Sequence, residues 1–191
     1  VTAGTGERVT DAELAARLQR DPELFTEVHD RYFTAIYRYV TGRLDAQTAE
    51  DIAAETFLVA FDRRDAFDAE RGDVRVWLFG IATNLVARHR RKEARHYRAL
   101  ARMDVEPAVE GHESTVVASV AARRLRPQLA TALARLSPGE RDVLLLVALG
   151  QLGYDEVAAA LGISSGTVGS RLSRARKKLN PALIAPEALD G

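Results

Sequence analysis

The chain has 191 residues, 27 cations against 27 acids, and 47% hydrophobic residues. That is enough for one modest core or two small ones, since domains usually run about 100–200 residues. Zero net charge excludes a chain that adheres to polyanions along its whole length, and the lack of cysteine excludes disulfides, thiolate zinc sites and cysteine nucleophiles and favours a cytoplasmic setting.

No two-residue alternation is sustained, while three- and four-residue apolar spacings recur throughout. The expected fold class is therefore all-α, with two small helical domains joined by an extended linker. Thr10-Asp11-Ala12-Glu13 has the form of a capping box, so a short helix should run to about Gln19. Asp21-Pro22 should open the next, with an acceptor at the cap and a proline where a missing N–H costs nothing. Leu24, Val28, Tyr32, Ile36 and Val40 form its stripe. A third helix, about Ala46 to Arg63, should bury Ile52, Phe57, Ala60 and Phe61 and present Glu50, Asp51 and Glu55. Residues Ala66 to Gly72 break the pattern. Asp73 then caps a fourth helix through Val76, Trp77, Ile81 and Leu85.

This helix ends in a charge run. Arg88, Arg90, Arg91, Lys92, Arg95, Arg98 and Arg102 stand against Glu93 alone, a net charge of about +6. Such density suits phosphate. From Met103 to Glu113 the composition inverts to Asp104, Glu106, Glu110 and Glu113 with Pro107 and Gly111, a linker signature. At ~3.3 Å per residue it could separate two bodies by up to about 36 Å.

The second half rebuilds a core. Ser114 to Arg126 and Pro127 to Leu136 form one bent helix or two. Ser137-Pro138-Gly139-Glu140 is a further start signal, ahead of Val143, Leu144, Leu145, Val147 and Leu149, with Gly150 as the stop. Tyr154 to Leu161 turns Val157, Ala158 and Leu161 inward, Gly162 can end it in the left-handed conformation, Ile163 plugs the corner, and Ser164 or Ser165 caps the next helix. Val168 and Leu172 then face back. This is a helix-turn-helix, whose second helix enters the DNA major groove by its N-terminal part. Ser165, Thr167, Ser170, Arg171 and Arg174 are the candidates on its open side, with hydroxyls for phosphate or base edges and arginine for guanine. Arg176, Lys177 and Lys178 lie farther along and suit phosphate.

Two segments resemble one family. "TAEDIAAETFLVAFDRRDAF" with "VRVWLFGIATNLVARHRRK" resembles region two of the extracytoplasmic-function sigma factors of bacterial RNA polymerase, and "LSPGERDVLLLVALGQLGYDEVAAALGISSGTVGSRLSRARKKL" resembles their region four. The resemblance covers about Glu23 to Leu179. It implies a region two domain over 1–102, an acidic linker over 103–113, a region four domain over 114–180 and a tail over 181–191. It also implies partners: core RNA polymerase through the β′ clamp helices and the β flap, promoter DNA, and an anti-sigma factor, which is common in the family.

Carried over by position, Glu50, Asp51, Glu55 and Phe57 match the polymerase-binding segment. Trp77, Ile81 and Asn84 match the segment at the −10 element, where Arg88, Arg90, Arg91 and Lys92 continue as DNA contacts. The loop Phe67 to Asp73 should supply walls of a pocket for a flipped base. Ala54 stands where the family usually has glutamine, and Gly169 where a basic residue is common. The expected function is promoter recognition and initiation of transcription, with no bond-making chemistry of its own. The alternative is a helix-turn-helix regulator that binds an operator as a dimer without polymerase. No nucleophile, base and orienting-group pattern suggests an enzyme. His29, His89, His96 and His112 lack metal-ligand spacing, so neither metal nor cofactor is expected. No apolar run approaches the ~20 residues that span a bilayer, and the start lacks a signal-peptide pattern, so no membrane contact is expected.

Overall fold

A computed structural model describes residues 10–69, 72–101 and 131–184, with the side chains of 96–101 and 180–184 left aside. Among the described residues there are helices and turns and no strand. They are α1 (Asp11–Arg17), α2 (Leu24–Thr41), α3 (Ala46–Asp62), a 3-10 turn (Arg64–Ala66), α4 (Val74–Ala101), α5 (Pro138–Ala148), α6 (Tyr154–Leu161) and α7 (Ser165–Ile184). The linker expected at 103–113, most of the helix expected before Leu136 and the tail after 184 lie outside the described residues.

Local signals set most helix starts. The Thr10 hydroxyl accepts the Glu13 amide (3.2 Å) while Glu13 Oε2 accepts the Thr10 amide (2.8 Å). Ser137 and Glu140 repeat this reciprocal cap on α5, and Asp45 caps α3 by accepting the Thr48 amide. α2 begins two residues after its expected start, because Asp21 accepts the Glu23 amide in a preceding turn (3.2 Å).

The expected α2 stripe is buried from Val28 onward, with Tyr39 added and Leu24 only half-buried. In α4 the innermost row is Leu78, Phe79, Ala82 and Val86, which displaces Trp77 and Ile81 to a half-buried position one residue around the helix. Between the two helices lies a chain of polar contacts. Arg43 Nη1 donates to Tyr39 Oη (2.6 Å), Tyr39 Oη donates to Thr83 Oγ1 (2.7 Å), and Thr83 donates to the Phe79 carbonyl (2.7 Å). Burial raises the Tyr39 pKa, since the phenolate would have to be desolvated. Phe61 differs from expectation: it is 36% exposed, with its ring against that of Phe25 and the Arg64 guanidinium 4.4 Å from its centroid.

The two halves are in contact and share one apolar cluster, from Leu14 on α1 to Leu172 on α7. α6 lies across α4 so closely that a Cβ on Gly80 would stand 2.8 Å from the Ala160 carbonyl oxygen. Only glycine permits that approach. Polar contacts flank it. Arg43, whose side chain is 3% exposed, pairs with Asp142; Arg75 Nη2 donates to the carbonyls of Gly150 and Gln151 and so closes the C-terminal end of α5. The left-handed residue there is Gln151 (φ 53), not Gly150. A smaller cluster of Ala132, Leu136, Ala175 and Leu179 ties α7 to the helical residues 131–134.

Candidate nucleic-acid interface

Trp77 is half-buried and its ring centroid lies 5.1 Å from that of Phe67, which is almost fully buried. The loop before α4 returns beside the helix and encloses a pocket of about 340 Å³ lined by Phe67, Asp68, Trp77, Ile81 and Asn84. Of the expected wall, Phe67, Asp68, Gly72 and Asp73 line this cavity while residues 70–71 lie outside the described residues, and Ala159 and Ala160 of α6 border the same cavity.

Residues 77, 81, 84, 88 and 91 follow each other at three- and four-residue steps, so they share a face of α4. Asn84, Arg88, Arg91 and Lys92 are exposed. Arg90 departs from this group. It is half-buried, donates to the Arg43 carbonyl (2.6 Å), and has its pKa lowered first by burial and then by Arg141 and Arg43. Its six-residue offset from Asn84 already placed it on another face.

Glu50, Asp51 and Glu55 stand exposed on α3, as expected, whereas Phe57 is 5% exposed and packs among Phe25, His29 and Phe33. Sequence reasoning missed Leu58, which is 66% exposed. With Ala54 and Phe61 it forms an apolar row offset by one residue from the buried row Ala53, Phe57 and Ala60. This row opens a groove shared with Phe25 and His29. The four-residue step from Ala54 to Leu58 was the available signal. It was masked because both rows are apolar.

The helix-turn-helix forms as its small residues dictate. Gly162 is left-handed (φ 63, ψ 38), the Ile163 amide returns to the Ala158 carbonyl (3.0 Å), and Ser164 Oγ accepts the Thr167 amide (3.2 Å). Val157, Val168 and Leu172 close the corner. Several side chains of the expected reading face have internal partners. Ser165 donates to Asp155 Oδ1 (2.6 Å), Ser170 to the Thr167 carbonyl (3.0 Å), and Thr167 shares a hydrogen bond with Ser164. Arg171 lies over Gly139. Arg174 Nε is 3.7 Å from Glu140 Oε1 and Lys178 Nζ donates to Glu140 Oε2 (2.7 Å). Lys178 is the main reason the Glu140 carboxyl pKa falls to about 2, followed by the Ser137 amide. Arg176 and Lys177 are exposed.

Comparison with known proteins fits these two assemblies. Residues 24–96 match the family Sigma-70 region 2 and residues 126–179 match Sigma-70, region 4. The ECF RNA polymerase sigma factor SigC of Mycobacterium tuberculosis is 33% identical over 154 residues, 75% of each chain. The ECF RNA polymerase sigma factor BldN of Streptomyces coelicolor is 30% identical over 171 residues, which is 87% of this chain and 63% of that protein. CnrH, a sigma factor of Cupriavidus metallidurans solved in complex with the cytosolic domain of CnrY, superposes with a TM-score of 0.66 at 28% identity, covering 93% of this chain and 99% of that one. The ordered pair of family matches, together with relatives that cover most of the chain, shows that it belongs to the extracytoplasmic-function sigma factors of RNA polymerase.

Proposed function

We propose that this sigma factor directs core polymerase to its promoters by dividing the reading between its halves, with a −10 base captured in the pocket walled by Phe67 and Trp77 and the −35 duplex read by α7. The observation that carries this is the aromatic pocket on α4, continued along the same helix face by exposed Asn84, Arg88 and Arg91. An aromatic wall suits an unstacked base, and the cations suit the phosphates on either side of it. Capture of melted bases lowers the free energy of the open promoter relative to the closed one, which is how binding alone shifts that equilibrium. No bond is made or broken by this chain.

Glu50, Asp51 and Glu55 offer charge to a basic partner, and the adjoining apolar row at Ala54, Leu58 and Phe61 supplies area. We assign this face to core polymerase. CnrH, solved with CnrY's cytosolic domain, supports a protein partner of comparable kind for the closed chain. Because Ala159 and Ala160 line the −10 pocket, seating DNA there requires α6 to leave α4. Among the described residues no helix is long and apolar enough to cross a membrane.

The test is transcription from a genomic promoter library by core polymerase with and without the protein, mapping 5′ ends. Starts that require it, downstream of a shared pair of elements, are expected. Tight duplex binding by the protein alone with no stimulated start would overturn the reading in favour of an operator-binding regulator.

A further inference from the structure

α1 and its following turn precede the stretch that matches region 2, which begins at residue 24, yet they hold the loop that walls the −10 pocket. Gln19 Nε2 donates to the Phe67 carbonyl and faces the Asp65 carbonyl at 3.4 Å. These two carbonyls belong to the middle residue of the 3-10 turn and to the residue whose ring packs on Trp77. The turn's own backbone bonds reach only as far as the Phe67 amide, which donates to the Arg64 carbonyl (3.1 Å). Phe67 itself is extended (φ −69, ψ 132). Its placement therefore depends on partners outside the turn.

Gln19 stands on a firm base. Leu14 and Leu18 are fully buried, and at the other end of α1 Asp11 accepts from Arg31 Nη1 (2.6 Å) and Tyr32 Oη (2.7 Å). The Tyr32 bond leads in lowering the Asp11 pKa, so the anchor is charged at neutral pH. α1 is a short strut, pinned to α2 at one end and to the pocket loop at the other.

We infer that Gln19 is a positioning residue for −10 recognition: by holding the Asp65 and Phe67 carbonyls it fixes the Phe67–Trp77 wall of the pocket that an unstacked base must enter. It does not touch DNA. The inference rests on the reading of that pocket as the −10 site. The side-chain chemistry is specific, because the amide supplies two N–H donors to two carbonyls, a carboxylate of the same length supplies none, and lysine supplies them again.

The experiment uses the holoenzyme and a promoter series with each −10 and −35 base replaced singly, scored by open-complex formation. Trp77→Ala locates the position the pocket reads. At that position Gln19→Ala and Gln19→Glu should each lower discrimination about fivefold, the factor given by losing roughly one neutral hydrogen bond's net free energy. Gln19→Lys should restore most of it. Discrimination at the −35 element and core affinity should not change, and the melting temperature should fall by no more than a few degrees. Wild-type discrimination in Gln19→Glu, or an equal loss at all positions and in core affinity, would overturn the inference. If Trp77→Ala leaves every −10 preference intact, the pocket reading fails instead.

Discussion

Glu140 on α5 and Lys178 on α7 are joined by a 2.7 Å charge-assisted hydrogen bond, and the same carboxylate accepts the Ser137 amide that starts α5. One buried acid thus caps α5 and anchors α7 to it. The pH consequence has a definite sign. The folded pKa, about 2, lies below the ordinary 4.5, so the unfolded chain takes up the proton first, and this contribution is whole above about pH 4.5 and is lost as pH falls toward 2. Melting temperature measured against pH should show wild type above Glu140→Gln at pH 7, with the gap shrinking below pH 4.5.

Asp142→Asn should open the closed arrangement. It leaves the Arg43 guanidinium, 3% exposed, without its charge partner between the halves. Stranding one member of a buried pair costs about 3–5 kcal/mol. The chain has no cysteine, so Asp62→Cys and Ser173→Cys can carry a fluorophore pair, and their transfer efficiency should drop in the Asp142→Asn background.

Gly169→Ala should stabilise the chain. A Cβ there meets nothing within 4 Å, and glycine in a helix interior costs about 1 kcal/mol against alanine. Gly169→Arg should add a phosphate contact to the same gain, steepening the salt dependence of −35 duplex binding by about one ion. Denaturant unfolding and a salt titration check the two parts.

Neighbouring arginines on α4 should separate cleanly. Arg91→Ala is expected to reduce the salt slope of holoenzyme binding to promoter DNA by about one while leaving stability within about 0.5 kcal/mol. Arg90→Ala should do the reverse, lowering stability by roughly 1–2 kcal/mol through the lost bond to the Arg43 carbonyl and sparing the slope.

Leu58→Asp should weaken core polymerase binding by about 2 kcal/mol, a factor near 30, if this exposed leucine is a central contact. Its 66% exposure predicts little change in folding stability. Fluorescence anisotropy with purified core and a thermal melt give both readings, and unaltered core affinity would remove the apolar row from the polymerase face.

Much of the proposed −10 face was legible, because Trp77, Ile81, Asn84, Arg88 and Arg91 fall on one side of α4 by helical arithmetic alone. Arg90 was grouped with them by charge and neighbourhood, although the same arithmetic excludes it. On α3, period could not separate the buried row through Phe57 from the exposed row through Leu58. Both rows are apolar, and only the helices that arrive choose between them. The internal partners of Ser165, Arg174 and Lys178 were invisible for a related reason: a side chain suited to DNA is equally suited to a carboxylate on a neighbouring helix.

Most helix starts and the helix-turn-helix corner were determined by sequence alone, because their bonds close within a few residues: Thr10 with Glu13, Ser137 with Glu140, Ile163 back to Ala158. The joining of the halves was decided only by tertiary structure. Arg43 and Asp142 lie 99 positions apart, and Gly80 meets Ala160 across a similar span. Capping is an energy of neighbours in the chain, whereas burial depends on which surface arrives opposite, and no local pattern of residues carries that information.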